Sequence, residues 1–409
     1  ILSGFVVPDG DEGELLSFAV QAQDSGSSDL LSYHWDFGDG SSSTGSNTAQ
    51  HIFSDDGSYE LVLTVSDEDG GVAIATAIVT IANLAPSIAS LSVPSVGSEG
   101  SLLSLSASAS DVAADTVSYH WNFGDGSQPQ VGNPMAYAWP DQGSYIVTLT
   151  VLDDDGGSAQ LSATVEVANE PPQIDALVLP SSDLAEGSLL LFSAAASDPG
   201  EDQLTFSWDF GDGSALLSGA SVQHRFIDEG SFQISLSVSD GDGGTVQQSG
   251  SLSIANRPPE IQALTGNSAG LEAQSLSWSA QVVDSGSADS LSGSWDFGDG
   301  SAPVAGMSAS HSYLDQGTYT LSFTASDNDG GVSSQSLIVS IANEGPSITS
   351  LTVPGGNEGE LLQFAASAVD PGGDPLSFSW DFGDGSAVQQ GAGVQHAFQD
   401  DGTYTVTLT

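Results

Sequence analysis

The hexapeptide Trp-Asp-Phe-Gly-Asp-Gly begins at Trp35, Trp208, Trp295 and Trp380, and a variant with Asn122 in second place begins at Trp121. The intervals are 86, 87, 87 and 85 residues. Self-similarity at a fixed period is the mark of a repeat architecture, in which one supersecondary unit recurs along the chain. Other landmarks keep the same frame. An Asp lies six residues before each Trp (Asp29, Asp115, Asp202, Asp289, Asp374), and another lies ten or eleven before (Asp24, Asp111, Asp198, Asp284, Asp370). A third follows 32 after, at Asp67, Asp153, Asp240 and Asp327. An Asn-x-x-Pro joint starts at Asn83, Asn169, Asn256 and Asn343. The repeats divide the chain into residues 1–84, 85–170, 171–257, 258–344 and 345–409. The fifth stops before its third Asp and final strand, as expected of a window cut from a longer array.

Inside a unit the pattern alternates with period two. Leu204, Phe206, Trp208 and Phe210 alternate with Thr205, Ser207 and Asp209, and Phe232, Ile234, Leu236 and Val238 repeat the pattern. Alternation of this kind marks half-buried strands. Short strands joined by Gly, Asp and Ser turns in units this small predict an all-β chain of antiparallel two-sheet sandwiches. With no cysteine, no disulfide supports these cores, which leaves them to the Trp, the other aromatics and the aliphatic residues.

The hexapeptide, an Asp-x-Gly-Ser/Thr-Tyr/Phe element such as Asp141–Tyr145 and Asp315–Tyr319, and the closing Asn-x-x-Pro resemble the PKD (polycystic kidney disease) domain, five times over. Unit two departs with Asn122 and with Tyr137 where the others carry His51, His224, His311 and His396. Unit four departs with Ala273 in place of the Gly of Glu12–Gly13, Glu99–Gly100, Glu186–Gly187 and Glu358–Gly359. The resemblance implies immunoglobulin-like sandwiches in extracellular proteins, used as spacer, adhesive or accessory modules, with calcium bound by some bacterial members.

The carboxylates suggest where a cation would sit. Calcium takes six to eight oxygen ligands, and unit three offers Asn169, Asp198, Asp202, Asp240 and Asp242. The joint and the B–C and F–G loops of such a sandwich gather at one end, which would bring these oxygens together. The corresponding sets are Asn83, Asp111, Asp115, Asp153 and Asp155 in unit two, and Asn256, Asp284, Asp289, Asp327 and Asp329 in unit four. Unit one offers Asp24, Asp29, Asp67 and Asp69; unit five offers Asn343, Asp370 and Asp374. Turn chemistry is the competing account, because Asp and Asn favour loops by bonding their own backbone. The aligned histidines point to packing or a hydrogen bond on a strand, and Trp139 and Trp278 to core positions.

Composition narrows the function. Against 54 acidic residues stand 2 basic ones, Arg225 and Arg257, for a net charge of −52. Such a chain cannot neutralise nucleic-acid phosphates and is repelled by anionic membranes, and no apolar run is long enough to span a bilayer. No nucleophile elbow or zinc-protease helix marks a catalytic site, so the expectation is a non-enzyme. The near absence of Lys and Arg suits a saline extracellular or cell-surface setting, where screening shortens the repulsion. Two functions compete. One is a calcium-stiffened stalk, adhesin or filament whose partners are copies of itself or other surface proteins. The other is an accessory array of a secreted enzyme that holds a polysaccharide or protein substrate.

Overall fold

The structure is a computed structural model that describes residues 1–25 and 30–409. The described residues form strands, turns and bends and no helix. In the first repeat the strands are β1 (Leu2–Val6), β2 (Gly10–Asp11), β3 (Leu15–Ala22), β4 (Ser32–Asp36), β5 (Ser42–Thr44), β6 (Thr48–Ile52), β7 (Gly57–Ser66) and β8 (Val72–Ala82). They build two sheets, β1-β3-β6 and β2-β8-β7-β4-β5. All pairs are antiparallel except β2 with β8, which run parallel. This is an immunoglobulin-like sandwich, and five of them follow one another along the chain.

The later repeats keep this plan with informative departures. In the third, the β2 counterpart shrinks to one parallel bridge between Ala185 and Ala255. In the fifth, the described residues hold no counterparts of β2 and β8, and the β7 counterpart is only Thr407–Leu408. The sequence ends at Thr409, before the position of a β8 counterpart, and the other two differences follow from that. β8 is the strand on which both β2 and the length of β7 are laid, so without it neither edge has a partner.

Each hexapeptide residue has a separate task. Trp35, Trp121, Trp208, Trp295 and Trp380 are all 0% exposed. Each indole N–H donates to a backbone carbonyl eleven residues on, as from Trp208 to Gly219 O at 2.8 Å. The following Asp accepts the N–H of the first Gly, as Asp36 does from Gly38 at 3.1 Å. Asn122 accepts the same bond from Gly124 at 3.0 Å, so the substitution in repeat two leaves the turn intact. Gly38 has φ 81°, and a Cβ there would lie 2.6 Å from Glu60 O. Glycine meets both demands, a left-handed backbone and close approach to the neighbouring strand.

The second Asp of the motif meets the aligned histidine. His51 Nε2 lies 2.6 Å from Asp39 Oδ2 while its ring stacks on Phe37 at 4.1 Å. His224, His311 and His396 repeat the arrangement with Asp212, Asp299 and Asp384. Tyr137 occupies the same place in repeat two, with its hydroxyl donating to Asp125 Oδ2 at 2.5 Å and its ring stacked on Phe123. Trp139 and Trp278 are core residues. Burial works to raise the pKa of Asp299, but the Ser301 hydroxyl and amide N–H and then His311 outweigh it and hold the carboxyl at about 2, below its ordinary 3.8. The Ser386 hydroxyl and amide, with His396, hold Asp384 at about 2. A carboxyl depressed in the folded state contributes stability above its unfolded pKa and loses it as pH falls through the folded value. The contribution of these two carboxyls to the urea midpoint should therefore be flat above about pH 4 and fall between about pH 4 and 2. Asp299→Asn should reduce that acid-dependent loss in repeat four, as read by acid titration of urea unfolding.

Candidate metal centre at the repeat joints

The joint between repeats two and three shows the construction. The β8 counterpart, Ser158–Ala168, runs directly into Asn169. The Asn169 side-chain N–H donates to Asp240 Oδ2 at 3.0 Å. Asp240 Oδ1 accepts the N–H groups of Asp242, Gly243 and Gly244 at 2.8, 3.1 and 3.0 Å. Asp240 thus shapes its own loop and turns the Asn169 carbonyl oxygen inward, where it is buried with no hydrogen-bond partner. Asp198 and Asp202, in the loop before the Trp strand, each hold a buried Oδ2 that likewise lacks a partner. The other oxygen of Asp198 accepts the Gly200 N–H at 2.8 Å.

The remaining wall comes from the preceding repeat. Glu99, 0% exposed, sends Oε1 to the Glu170 N–H at 2.9 Å and leaves Oε2 without a partner. One carboxylate oxygen from each of Glu99, Asp198 and Asp202 lies within 4.8 Å of the others. Gly200 is packed against this glutamate, where a Cβ would lie 2.7 Å from the carboxyl carbon.

The neighbouring joints repeat the geometry. Between repeats one and two, Asn83 bonds Asp153 at 3.2 Å and Glu12 accepts the Leu84 N–H at 2.8 Å. The unpartnered oxygens there are Glu12 Oε2, Asn83 Oδ1, Asp111 Oδ2 and Asp115 Oδ2. Between repeats three and four, Asn256 bonds Asp327 at 3.1 Å and Glu186 accepts the Arg257 N–H at 2.7 Å. Glu186 Oε2, Asn256 Oδ1, Asp284 Oδ2 and both oxygens of Asp289 are left over. The guanidinium of Arg257 does not neutralise this set; it reaches out to Asp183 and Ser188.

Other sequence-selected residues lie at the edge of these sets or outside them. Asp155, Asp242 and Asp329 are exposed. Asp155 groups with Asp55 and Asp115, and Asp242 with Asp141 and Asp202, at the outer rim. At the fourth joint Glu272 is buried with Oε1 unpartnered, but Asn343 and Asp374 are exposed. Asp370 there accepts the Gly372 and Asp374 N–H groups. In repeat one Asp24 accepts the Ser25 N–H, Asp67 accepts those of Asp69 and Gly71, and Asp69 is exposed. Asp29 lies outside the described residues.

The glutamates are the residues that sequence reasoning did not select as ligands. Their signal is the recurrent Glu-Gly element. Gly13, Gly100 and Gly187 take left-handed φ values of 73°, 67° and 70°, and Ala273 takes 54° in the same place. The element keeps its Glu where it loses its Gly.

The electrostatics of the joints are unfavourable as they stand. Burial, then the neighbouring Glu12 and Asp111, pushes Asp115 up to about 6. Burial, then Glu186 and Asp284, pushes Asp289 up to about 7. Asp202, Glu99 and Glu186 are raised by burial first and nearby carboxylates second. A divalent ion would offset both causes, and the oxygen-only donor set with carboxylate and amide carbonyl members fits a hard cation such as calcium.

Comparison with known proteins agrees with the repeat structure. The family model described as PKD domain matches residues 7–82, 83–168, 169–254, 256–341 and 343–409. Human polycystin-1 is 26% identical over 402 residues, covering 92% of this chain and 9% of that protein. Collagenase ColA of Bacillus cereus is 35% identical over 78 residues, covering 18% of this chain and 8% of that protein. The chain thus spans under a tenth of the length of these relatives. Among solved structures, the sidekick-1 immunoglobulin domains 1–5 align over 99% of this chain and 94% of theirs, at 15% identity and a TM-score of 0.28. Matched by the family model in five consecutive stretches that cover nearly its whole length, the chain belongs to the PKD domain family.

Proposed function

We propose that the chain is a non-catalytic extracellular array whose joints are stiffened by calcium, serving as a stalk, adhesin or filament at a cell surface. The observation that carries this reading is the cluster of unpartnered, inward-facing oxygens at three consecutive joints, with no basic side chain turned into any of them. Unpaired buried carboxylates are costly, and a cation removes that cost while fixing the angle between repeats. The kinship with polycystin-1 over most of the chain supports a tandem-array role. Its partners are copies of itself or other surface proteins, and a saline medium with divalent ions suits its charge of −52 by screening the repulsion between chains.

The likeness of one repeat's length to collagenase ColA favours a second reading, an accessory array that holds a protein or polysaccharide substrate for a secreted enzyme. Beads coated with the full chain separate the two. On the first reading they cluster in millimolar calcium and disperse in chelator. Beads that stay dispersed in calcium, while the chain pellets with insoluble protein or polysaccharide, would replace the first reading with the second.

A further inference from the structure

We propose that the buried glutamate of each of the first three repeats, at Glu12, Glu99 and Glu186, is a direct ligand of a divalent cation seated on the next repeat, so that the site is completed only where two repeats meet. This rests on the cation-stiffened reading above and adds to it a residue and a unit of binding: the joint rather than the repeat.

Three observations carry the inference. First, each glutamate is 0–1% exposed, yet one carboxylate oxygen has no partner. Second, the other oxygen is fixed by the first backbone N–H after the joint Asn, from Leu84, Glu170 or Arg257. The carboxylate is therefore held in one orientation rather than left to turn toward water. Third, the unpartnered side lies among carboxylates of the following repeat. For Glu12 these are Asp111 and Asp115, and for Glu99 they are Asp198 and Asp202; for Glu186 the set joins Asp289 of the following repeat with Asp228 and Glu229 of its own, and each set has oxygens within 4.8 Å of one another. Two oxygens that share an ion at roughly 2.4 Å can stand at most about 4.8 Å apart, so the spacing suits a common ion.

Protonation alone does not resolve the arrangement. At the second joint Glu99 Oε2, Asn169 Oδ1, Asp198 Oδ2 and Asp202 Oδ2 are all acceptors without donors. One added proton supplies one donor, whereas one cation can engage an oxygen from each of the three clustered carboxylates at once.

The consequence is a count. If each repeat bound calcium through its own oxygens, five repeats would offer up to five sites. If the glutamate completes the site, the tight sites are the three joints with the full set, and the fourth, where Asn343 and Asp374 are exposed, is weaker. Repeat one receives no glutamate from an earlier repeat of this 409-residue sequence, so the glutamate count assigns it no tight site.

Calcium titration of the full chain by isothermal calorimetry tests this, with Glu99→Gln as the variant. Gln keeps an oxygen for the Glu170 N–H and removes the charge, and Glu12→Gln repeats the test at an independent joint should the first variant fold poorly. The expected result is three tight sites in the parent and two in either variant, the third weakened by about tenfold or more. Three unchanged sites in both variants, or five equal sites in the parent, would overturn the glutamate's role while leaving the cation reading intact. A parent chain that binds no calcium would remove the cation reading itself.

Discussion

Stripping calcium from the full chain should lower the thermal midpoint of repeats two, three and four by about 10 °C or more and shorten its maximum dimension in small-angle scattering. The size follows from linkage. A ligand held at one hundred times its dissociation constant stabilises the folded form by about 2.7 kcal/mol. A change of 1 kcal/mol moves the midpoint of a domain this small by roughly 4–8 °C. The shortening follows from geometry, because the oxygens come from both sides of a joint: Glu99 from one repeat, Asp198 and Asp202 from the next. Without an ion, mutual repulsion and the desolvation cost of these groups favour opening the joint. Repeats one and five, for which the described residues show no full set of inward oxygens, should respond least. A calorimetric trace and a scattering profile that are the same in calcium and in chelator would count against the cation account, though not against the fold.

The second large effect belongs to the core. Trp208→Ala removes a fully buried indole whose neighbours include Phe192 and Phe210. It also strands the Gly219 carbonyl that accepts its N–H. Large-to-small changes of this kind cost about 3–5 kcal/mol, against a stability of roughly 4–13 kcal/mol for a unit this size at typical values per residue. Repeat three should then unfold well below its neighbours. The chain carries its own reporter: Arg225 lies in this repeat, and the other basic residue, Arg257, precedes Pro258, which disfavours cleavage there. In the folded parent Arg225 is tied by its side chain to Gly187 O. Trypsin should leave the parent intact and cut the variant once, after Arg225. A variant as resistant as the parent would show that the indole does not hold the sandwich together.

Much of this was legible in the sequence because the repeat frame is rigid. The period placed the strands, and the alternation around Trp208 and along Phe232–Val238 gave the buried faces. The Asn122 and Tyr137 substitutions could be located as departures, but only the geometry shows why they are tolerated. Asn122 keeps a turn acceptor, and Tyr137 keeps both the aromatic stack and the bond to Asp125. For the candidate site, the joint Asn and the two Asp residues before each Trp could be gathered within one unit. Glu99 could not, because its neighbours Asp198 and Asp202 lie about a hundred residues on, in the next unit. A frame drawn around single repeats hides contacts that exist only between them. Nor does a sequence divide the tasks of an acidic loop. Asp240 spends its Oδ1 on three backbone N–H groups and its Oδ2 on Asn169, while Asp242, two residues away, is exposed at the rim.

The most direct test is an anomalous-scattering map of crystals of the full chain soaked in a lanthanide that mimics calcium. The account predicts one strong peak inside each of the first three joints. At the second joint it should lie roughly 2.3–2.6 Å from oxygens of Glu99, Asn169, Asp198 and Asp202. A well-phased map with those joints empty, or with peaks confined to the exposed rim around Asp155, Asp242 and Asp329, would contradict it.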